Sequence, residues 1–411
     1  MNGLKAIKLP TILYSAIIVI ISWAFLEGWF PVVRRQWIFL GFGLVMSFFT
    51  APRFFSCKRV IVLFGYLIVL YLNAMSGDKY FSDKNIVIAE VFTLAFPAAL
   101  LYYIYINKSK KDIVTILSAY LLVLIVSCVA SFLIDKFMMP GAIRQMVALR
   151  KLEGKESMYF YYRLGLSSYS FPHALPILIP PLIMGIKSKK ITKSFKFVCI
   201  VLFVATFVLV WLSGTMTALL LAIMFLLLSY FTQEGSIANN IKRLSFIFIL
   251  FVPLLSPDVL GMVTRYAKDF VGEESSYYVK IEDFEQSLES DYDSSGSDWE
   301  ARQNLYDQSF SGFAENAFFG TNSMVGGHSS FLDRLGVLGL LGFIPLIWFF
   351  ILQLKAGAVP IPQKHRVYYY EGCLAGLMML SIKSTLYPNV TIVLFVVLPL
   401  LTYWISISEI E

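Results

Sequence analysis

The stretch from Trp299 to Gly342 gathers the residue types that do chemistry. It begins Trp299-Glu300-Ala301-Arg302-Gln303-Asn304-Leu305-Tyr306 and passes through Glu315-Asn316-Ala317-Phe318-Phe319-Gly320. It then reaches Gly326-Gly327-His328-Ser329-Ser330-Phe331-Leu332-Asp333-Arg334-Leu335-Gly336 as an apolar run begins. Imidazole exchanges a proton near neutral pH, so His328 is a candidate to activate or orient a reacting hydroxyl. Glycines around it at a helix start suggest a shaped pocket, and helix N-terminal N–H groups favour anions there. The plainer reading of a lone histidine at a membrane interface is a residue bonded to a carbonyl. Arg302 also has two readings: a surface ion pair of little worth, or a fork-shaped donor for phosphate oxygens.

Two further arginines share that side of the chain. Arg163 closes Tyr159-Phe160-Tyr161-Tyr162-Arg163, just before an apolar run, and Arg265 follows another. Each reads plainly as an interfacial anchor. Arg163, Arg265, Arg302 and His328 nevertheless fall on one face, and several guanidinium groups at a lipid–water boundary can hold a lipid-linked diphosphate. His173 follows Phe171-Pro172 and precedes Pro176, Pro180 and Pro181, so its helix is expected to bend or break. Lys383 reads as a snorkelling residue between two apolar runs.

These residues need elements to position them, and composition fixes what those are. Of 411 residues, 58% are hydrophobic and 15% charged, against about a quarter charged in soluble domains. Lipid must cover so much apolar surface. Apolar runs lie at about 11–30, 36–52, 59–74, 86–106, 112–134, 168–187, 195–212, 215–231, 244–260, 329–352, 367–383 and 388–406. Each is near the ~20 residues that a bilayer crossing requires. Backbone in lipid must satisfy its own hydrogen bonds, so the runs are expected to be helices, about twelve of them. Lys5/Lys8, Arg53/Lys58/Arg59, Lys108/Lys110/Lys111, Lys187 to Lys196, Lys242/Arg243 and Lys355/Lys364/Arg366 then share one face. The positive-inside rule makes that face, with both termini, cytoplasmic.

The expected organisation is a transmembrane bundle over 1–260 with an outer loop at 135–167, an acidic outer loop at 261–328, and C-terminal spans over 329–411. Ser294-Ser295-Gly296-Ser297 reads as the tip of the acidic loop, with short helices over 277–289 and 299–314. The net charge of +7 sits in clusters between spans and points to membrane topology, with no nucleic-acid partner. Cys57, Cys128, Cys199 and Cys373 are scattered and read as small hydrophobes. The chain has no P-loop, dinucleotide fingerprint, nucleophile elbow or metal-spaced His/Cys cluster. No cofactor and no metal are expected.

From Arg302 to Gly342 the chain resembles the bacterial O-antigen polymerases and O-antigen ligases, multi-span glycosyltransferases acting on undecaprenyl-diphosphate-linked glycans. The matching features are an Arg-x-x-x-Tyr helix (Arg302, Tyr306), an Asn-x-x-x-Gly turn (Asn316 to Gly320) and Gly-His-Ser-x-Phe-Leu-Asp (Gly327 to Asp333). A glycine-rich span start, Leu338-Gly339-Leu340-Leu341-Gly342, closes the stretch. Arg163-Leu-Gly-Leu-Ser-Ser is a second match. Each motif is degenerate; their order covers most of the chain.

The resemblance implies an all-α, GT-C-like polytopic protein of the bacterial inner membrane, catalysing inverting, metal-independent glycosyl transfer. It implies that Arg302 and Arg163 hold the diphosphate, with Arg265 a weaker candidate. His328 would serve the acceptor, with Asp333 and Tyr306 in support. A flippase and a chain-length regulator are implied partners. Met216 departs from the pattern, because ligases often carry an arginine in that turn. The His-Ser-x-Phe-Leu-Asp form leans towards a repeat-unit polymerase. The alternatives are a ligase transferring glycan to lipid A–core, and a transporter or flippase, which would show paired charges or broken helices at the bilayer midplane.

Overall fold

The computed structural model describes residues 7–30, 35–75, 84–107, 109–146, 155–233, 235, 257–272, 277–278, 281–282, 298–321, 326–327, 329–382 and 386–409. Of these, the side chains of 84–86, 155, 257–263 and 298–303 lie outside the description. Every regular element among the described residues is helical. In chain order these are α1 (Leu9–Ser22), α2 (Ala24–Trp29), α3 (Gln36–Thr50), α4 (Lys58–Met75), α5 (Lys84–Asn107), α6 (Lys110–Phe137) and α7 (Lys155–Arg163). There follow α8 (Ile179–Lys187), α9 (Lys193–Leu212), α10 (Met216–Phe231), α11 (Pro257–Val271), α12 (Asp298–Glu315), α13 (Ser330–Ala358) and α14 (Arg366–Ile382). The last is α15 (Pro388–Ser408), whose middle, Val393–Val397, widens into a π stretch.

Local chemistry sets the helix starts. Ser109, Thr192 and Ser329 accept from the backbone N–H of Asp112, Phe195 and Leu332, which caps α6, α9 and α13. Proline sits in the first turn of α1 and α15, where it costs no helical bond.

Among the described residues the apolar runs are helical, with two differences. The first run is cut at Trp23, whose extended backbone separates the 14-residue α1 from the six-residue α2. The proline-rich run opens as a 3-10 helix, Pro172–Leu178, before α8; prolines at 176, 180 and 181 lack the N–H groups a regular ladder needs. The expected span at 244–260 lies outside the described residues up to 256, and α11 starts at Pro257. Against the expected twelve spans, six helices among the described residues are long and apolar enough to cross a bilayer, and four apolar helices there are shorter.

The exposed surface says what surrounds the bundle. Ile61, Phe64, Ile68, Tyr71 and Leu72 form an exposed apolar stripe at helical spacing on α4. Such a stripe is untenable in water and ordinary in lipid. By contrast α15 and α5 are enclosed, with 83% and 72% of their spans buried against 22% for α4. The chain is an α-helical, membrane-embedded protein with α5 and α15 at its centre.

Hydrogen bonds join helix ends in two sets. One set includes Lys8 to Asn107, Arg59 to Gln353 and Lys364 to Glu409. The other includes Ser167 to Ser131, Arg163 to Gly28, Arg144 to Gly214 and Asn389 to Ser170.

Candidate functional site

The candidate site is built on a break in α13. Gly339 has φ 58° and ψ −163°, which interrupts the helix nine residues after it starts. The Asn316–Gly320 turn fills the gap. Leu340 N–H donates to Ala317 O (2.9 Å), Leu341 N–H to Phe318 O (3.1 Å), and Thr321 N–H to the released carbonyl of Gly336 (3.0 Å). Gly320 N–H closes the turn onto Asn316 O (2.7 Å), and Phe319 N–H donates to the Asn316 side chain. A Cβ at Gly339 would sit 2.5 Å from Gly320 N and from Phe318 O. Only glycine allows this positive φ and this approach together.

Helix α12 delivers the turn and packs along the start of α13. The contact is tight at Ser309 and Gly336, where a Cβ on the glycine would lie 2.5 Å from the Ser309 carbonyl. Asp333, fully buried, organises this corner. Its carboxylate accepts from Ser309 Oγ (2.8 Å), Gly327 N–H (3.1 Å) and Ser329 N–H (3.2 Å). Asp333 therefore fixes the residues on both sides of His328. His328 itself lies outside the described residues.

Arg302 stands in α12, two turns before Ser309 on the same i, i+7 face; its side chain is outside the description. Half-buried Tyr306 lies between them. The motif that the sequence spreads from Arg302 to Gly342 is thus one folded unit, α12–turn–α13.

The other two arginines stand on other elements. Arg163 ends α7, which packs on α2 with close backbone approach at Gly28. Its Nε donates to Gly28 O (2.8 Å), and its guanidinium lies 5.8 Å from the centre of the Trp29 ring. That is the interfacial-anchor geometry, with part of the guanidinium still exposed. Arg265 is exposed on α11. Lys268 of that helix reaches Glu282 (3.4 Å) and lies over Tyr278. The neighbouring Tyr277 donates to the Trp211 carbonyl (2.8 Å) at the end of α9. Burial raises the Tyr277 phenol above its ordinary value.

Sequence reading missed three features. At the Ser213-Gly214-Thr215 turn, beside Met216, the guanidinium of Arg144 donates to Gly214 O (3.0 Å). An arginine thus reaches this turn from the 135–167 loop, in space though not in sequence. The second feature is a buried pair. Arg334 Nε and Nη2 bond Glu90 Oε1 (2.8 Å) and Oε2 (2.5 Å), and Tyr66 OH donates to the same carboxylate. A lone glutamate inside an apolar run was the signal, since such a charge requires a partner. The pair lies within about 9 Å of the starts of α5 and α13 at 1.5 Å per residue, away from mid-helix.

The third feature is a recess of about 670 Å³ at the opposite helix ends, lined by Lys187, Tyr230, Thr232 and Tyr368. Lys187 there donates to the carbonyls of Ser229, Tyr230 and Thr232, so it caps α10. His173 is fully buried between Tyr169 and Tyr387 in the 3-10 segment. Lys383 lies outside the described residues. No protein-family model matches the chain, and no curated protein matches it in sequence.

Proposed function

We propose that the protein is a repeat-unit polymerase of a bacterial cytoplasmic membrane. It joins undecaprenyl-diphosphate-linked oligosaccharides into a surface polysaccharide by inverting transfer. In this reading about twelve GT-C-like spans put both termini in the cytoplasm, and the α12–α13 unit faces outward. The supporting observation is the corner at Asp333. One buried carboxylate pins the backbone on both sides of His328 and also bonds the helix that carries Arg302. That convergence is what a transfer site needs, because groups separated in sequence must be held at fixed mutual positions.

The chemistry follows from the charges that develop. The acceptor hydroxyl oxygen attacks the donor's anomeric carbon as the bond to the diphosphate oxygen breaks. The hydroxyl proton passes to His328, and the negative charge growing on undecaprenyl diphosphate is met by Arg302. Arg163, with Gly28 holding its Nε, has further N–H groups for the same lipid diphosphate, and exposed Arg265 is a weaker third contact. Asp333 and Tyr306 support the site from α13 and α12.

The test is purified protein in nanodiscs with lipid-linked repeat units. A ladder of products is expected from the wild type and none from Arg302→Ala or His328→Ala at equal membrane yield. Arg302→Lys should be impaired, because an ammonium cannot reproduce the fork. Wild-type ladders from both alanine variants would remove the site, and a single product on a lipid A–core acceptor would make the protein a ligase.

A further inference from the structure

We infer that the end of α12 and the Asn316–Gly320 turn form a re-entrant element. It dips into the acyl region of the leaflet at the Ser330 end of α13, with Phe310, Phe318 and Phe319 against lipid chains. The inference is independent of the reaction.

Depth along α13 comes first. Gln353 accepts from Arg59 (2.7 Å), which marks the polar layer near the far end of that helix. A hydrocarbon core of about 30 Å, at 1.5 Å per residue, extends about twenty residues back from Gln353 and so ends near Asp333. Leu340 and Leu341, which bond the turn, lie only about 20 Å from Gln353 by the same rise. The turn is hydrogen-bonded to them, so it sits at their depth, about 10 Å below the boundary. Ser309, bonded to Asp333, lies at the boundary itself.

Backbone entering hydrocarbon must have its polar groups satisfied. Six backbone groups at the turn meet that condition. The carbonyls of Asn316, Ala317 and Phe318 accept from Gly320, Leu340 and Leu341, while the N–H groups of Phe319, Gly320 and Thr321 are all donated. The only charge from Gln308 to Gly320 is Glu315.

The surface agrees. Phe310, Phe318 and Phe319 are 60%, 54% and 60% exposed, unusual values for phenylalanine in water. Phe318, whose carbonyl accepts from Leu341, adjoins the exposed apolar stripe of α13 itself, Leu341, Ile344 and Trp348. Acyl chains that cover the stripe on α13 therefore cover the turn bonded to it.

The experiment is spin labelling of the full chain in vesicles of phosphatidylethanolamine and phosphatidylglycerol. The native cysteines are replaced by alanine, and Phe310→Cys, Phe318→Cys, Phe319→Cys and Asp307→Cys are labelled one at a time. All four positions are exposed, so labels are tolerated, and monodisperse elution checks each fold. Collision with oxygen relative to a water-soluble nickel chelate should be several-fold higher at 310, 318 and 319 than at 307. A ratio at 318 and 319 as low as at 307 would overturn the inference. Loss of polymerase activity would not touch it, because the readout needs no substrate.

Discussion

Leu340 donates its backbone N–H to the carbonyl of Ala317, 2.9 Å away, where an unbroken helix would have it bond Gly336. The turn is thus spliced into the ladder of α13, and Gly339 is the splice point. Gly339→Ala forces φ +58° on an L-residue and drives a methyl group against two backbone atoms. A loss of at least about 2 kcal/mol is expected from strain and overlap together. Gly65→Ala, on α4 with open space around it, should be neutral or slightly stabilising. Thermal unfolding of both variants in detergent provides the comparison; equal midpoints would mean that the splice carries no strain.

Arg334 and Glu90 form a bidentate pair in which both side chains are 4% exposed. Glu90→Gln leaves a buried guanidinium without its counter-charge, and a loss of about 3–5 kcal/mol is expected. The double variant Glu90→Gln with Arg334→Met should recover much of that loss, since desolvating the pair is itself costly. A double variant no more stable than Glu90→Gln would show that the pair does more than balance charge.

Asp333→Asn keeps one acceptor oxygen where three donors converge. Expected are a modest destabilisation, about 1–3 kcal/mol for the unsatisfied groups, and a larger fall in polymer yield, because Gly327 and Ser329 lose their anchor. Ser309→Ala should produce a weaker version of both effects. A variant destabilised to this degree with full ladder length would detach Asp333 from the reaction.

Arg163 tests the diphosphate reading at a distance. Its ion pair with Glu156 (3.8 Å, the carboxylate 84% exposed) adds little. Loss of the bond to Gly28 in Arg163→Ala should cost about 1 kcal/mol. A raised KM for lipid-linked donor with kcat little changed is the expected signature of a phosphate contact. An effect on stability alone would leave Arg163 as an anchor of α7 on α2.

The end of α15 is held at Glu409 by a clamp that titrates. Burial raises the Glu409 carboxyl. Hydrogen bonds from Lys364 and Ser188 and the charge of His365 outweigh it and hold the group below its ordinary 4.5. The clamp's contribution is therefore full above that ordinary value and fades as pH falls through the lower folded value. Thermal midpoints should drop on acidification below about pH 4.5, and less so in Glu409→Gln. An identical acid slope in that variant would assign the loss to other carboxylates.

Most helices were legible because membrane insertion is a local property. An apolar run near twenty residues must satisfy its own backbone wherever it sits, and the run at 112–134 is Lys110–Phe137 in the structure. The prolines after His173 announced the irregular start of α8 for an equally local reason, the missing N–H groups. The Leu338-Gly339-Leu340-Leu341-Gly342 stretch was different. Its glycines read as an ordinary span start, because nothing nearby says that a turn some twenty residues earlier will take the helix's hydrogen bonds. The partner of Glu90 was equally hidden, 244 positions away.

By itself, then, the sequence determined an α-helical membrane protein and the approximate position of most of its described apolar helices, since hydropathy and turn chemistry act over a few residues. Only the tertiary structure decided that Asp333 clasps both neighbours of His328, that α12 rides on α13, and that Arg144 rather than residue 216 brings a guanidinium to the Gly214 turn. Those outcomes depend on which helices meet, and packing between distant segments selects among many pairings that local pattern leaves equal.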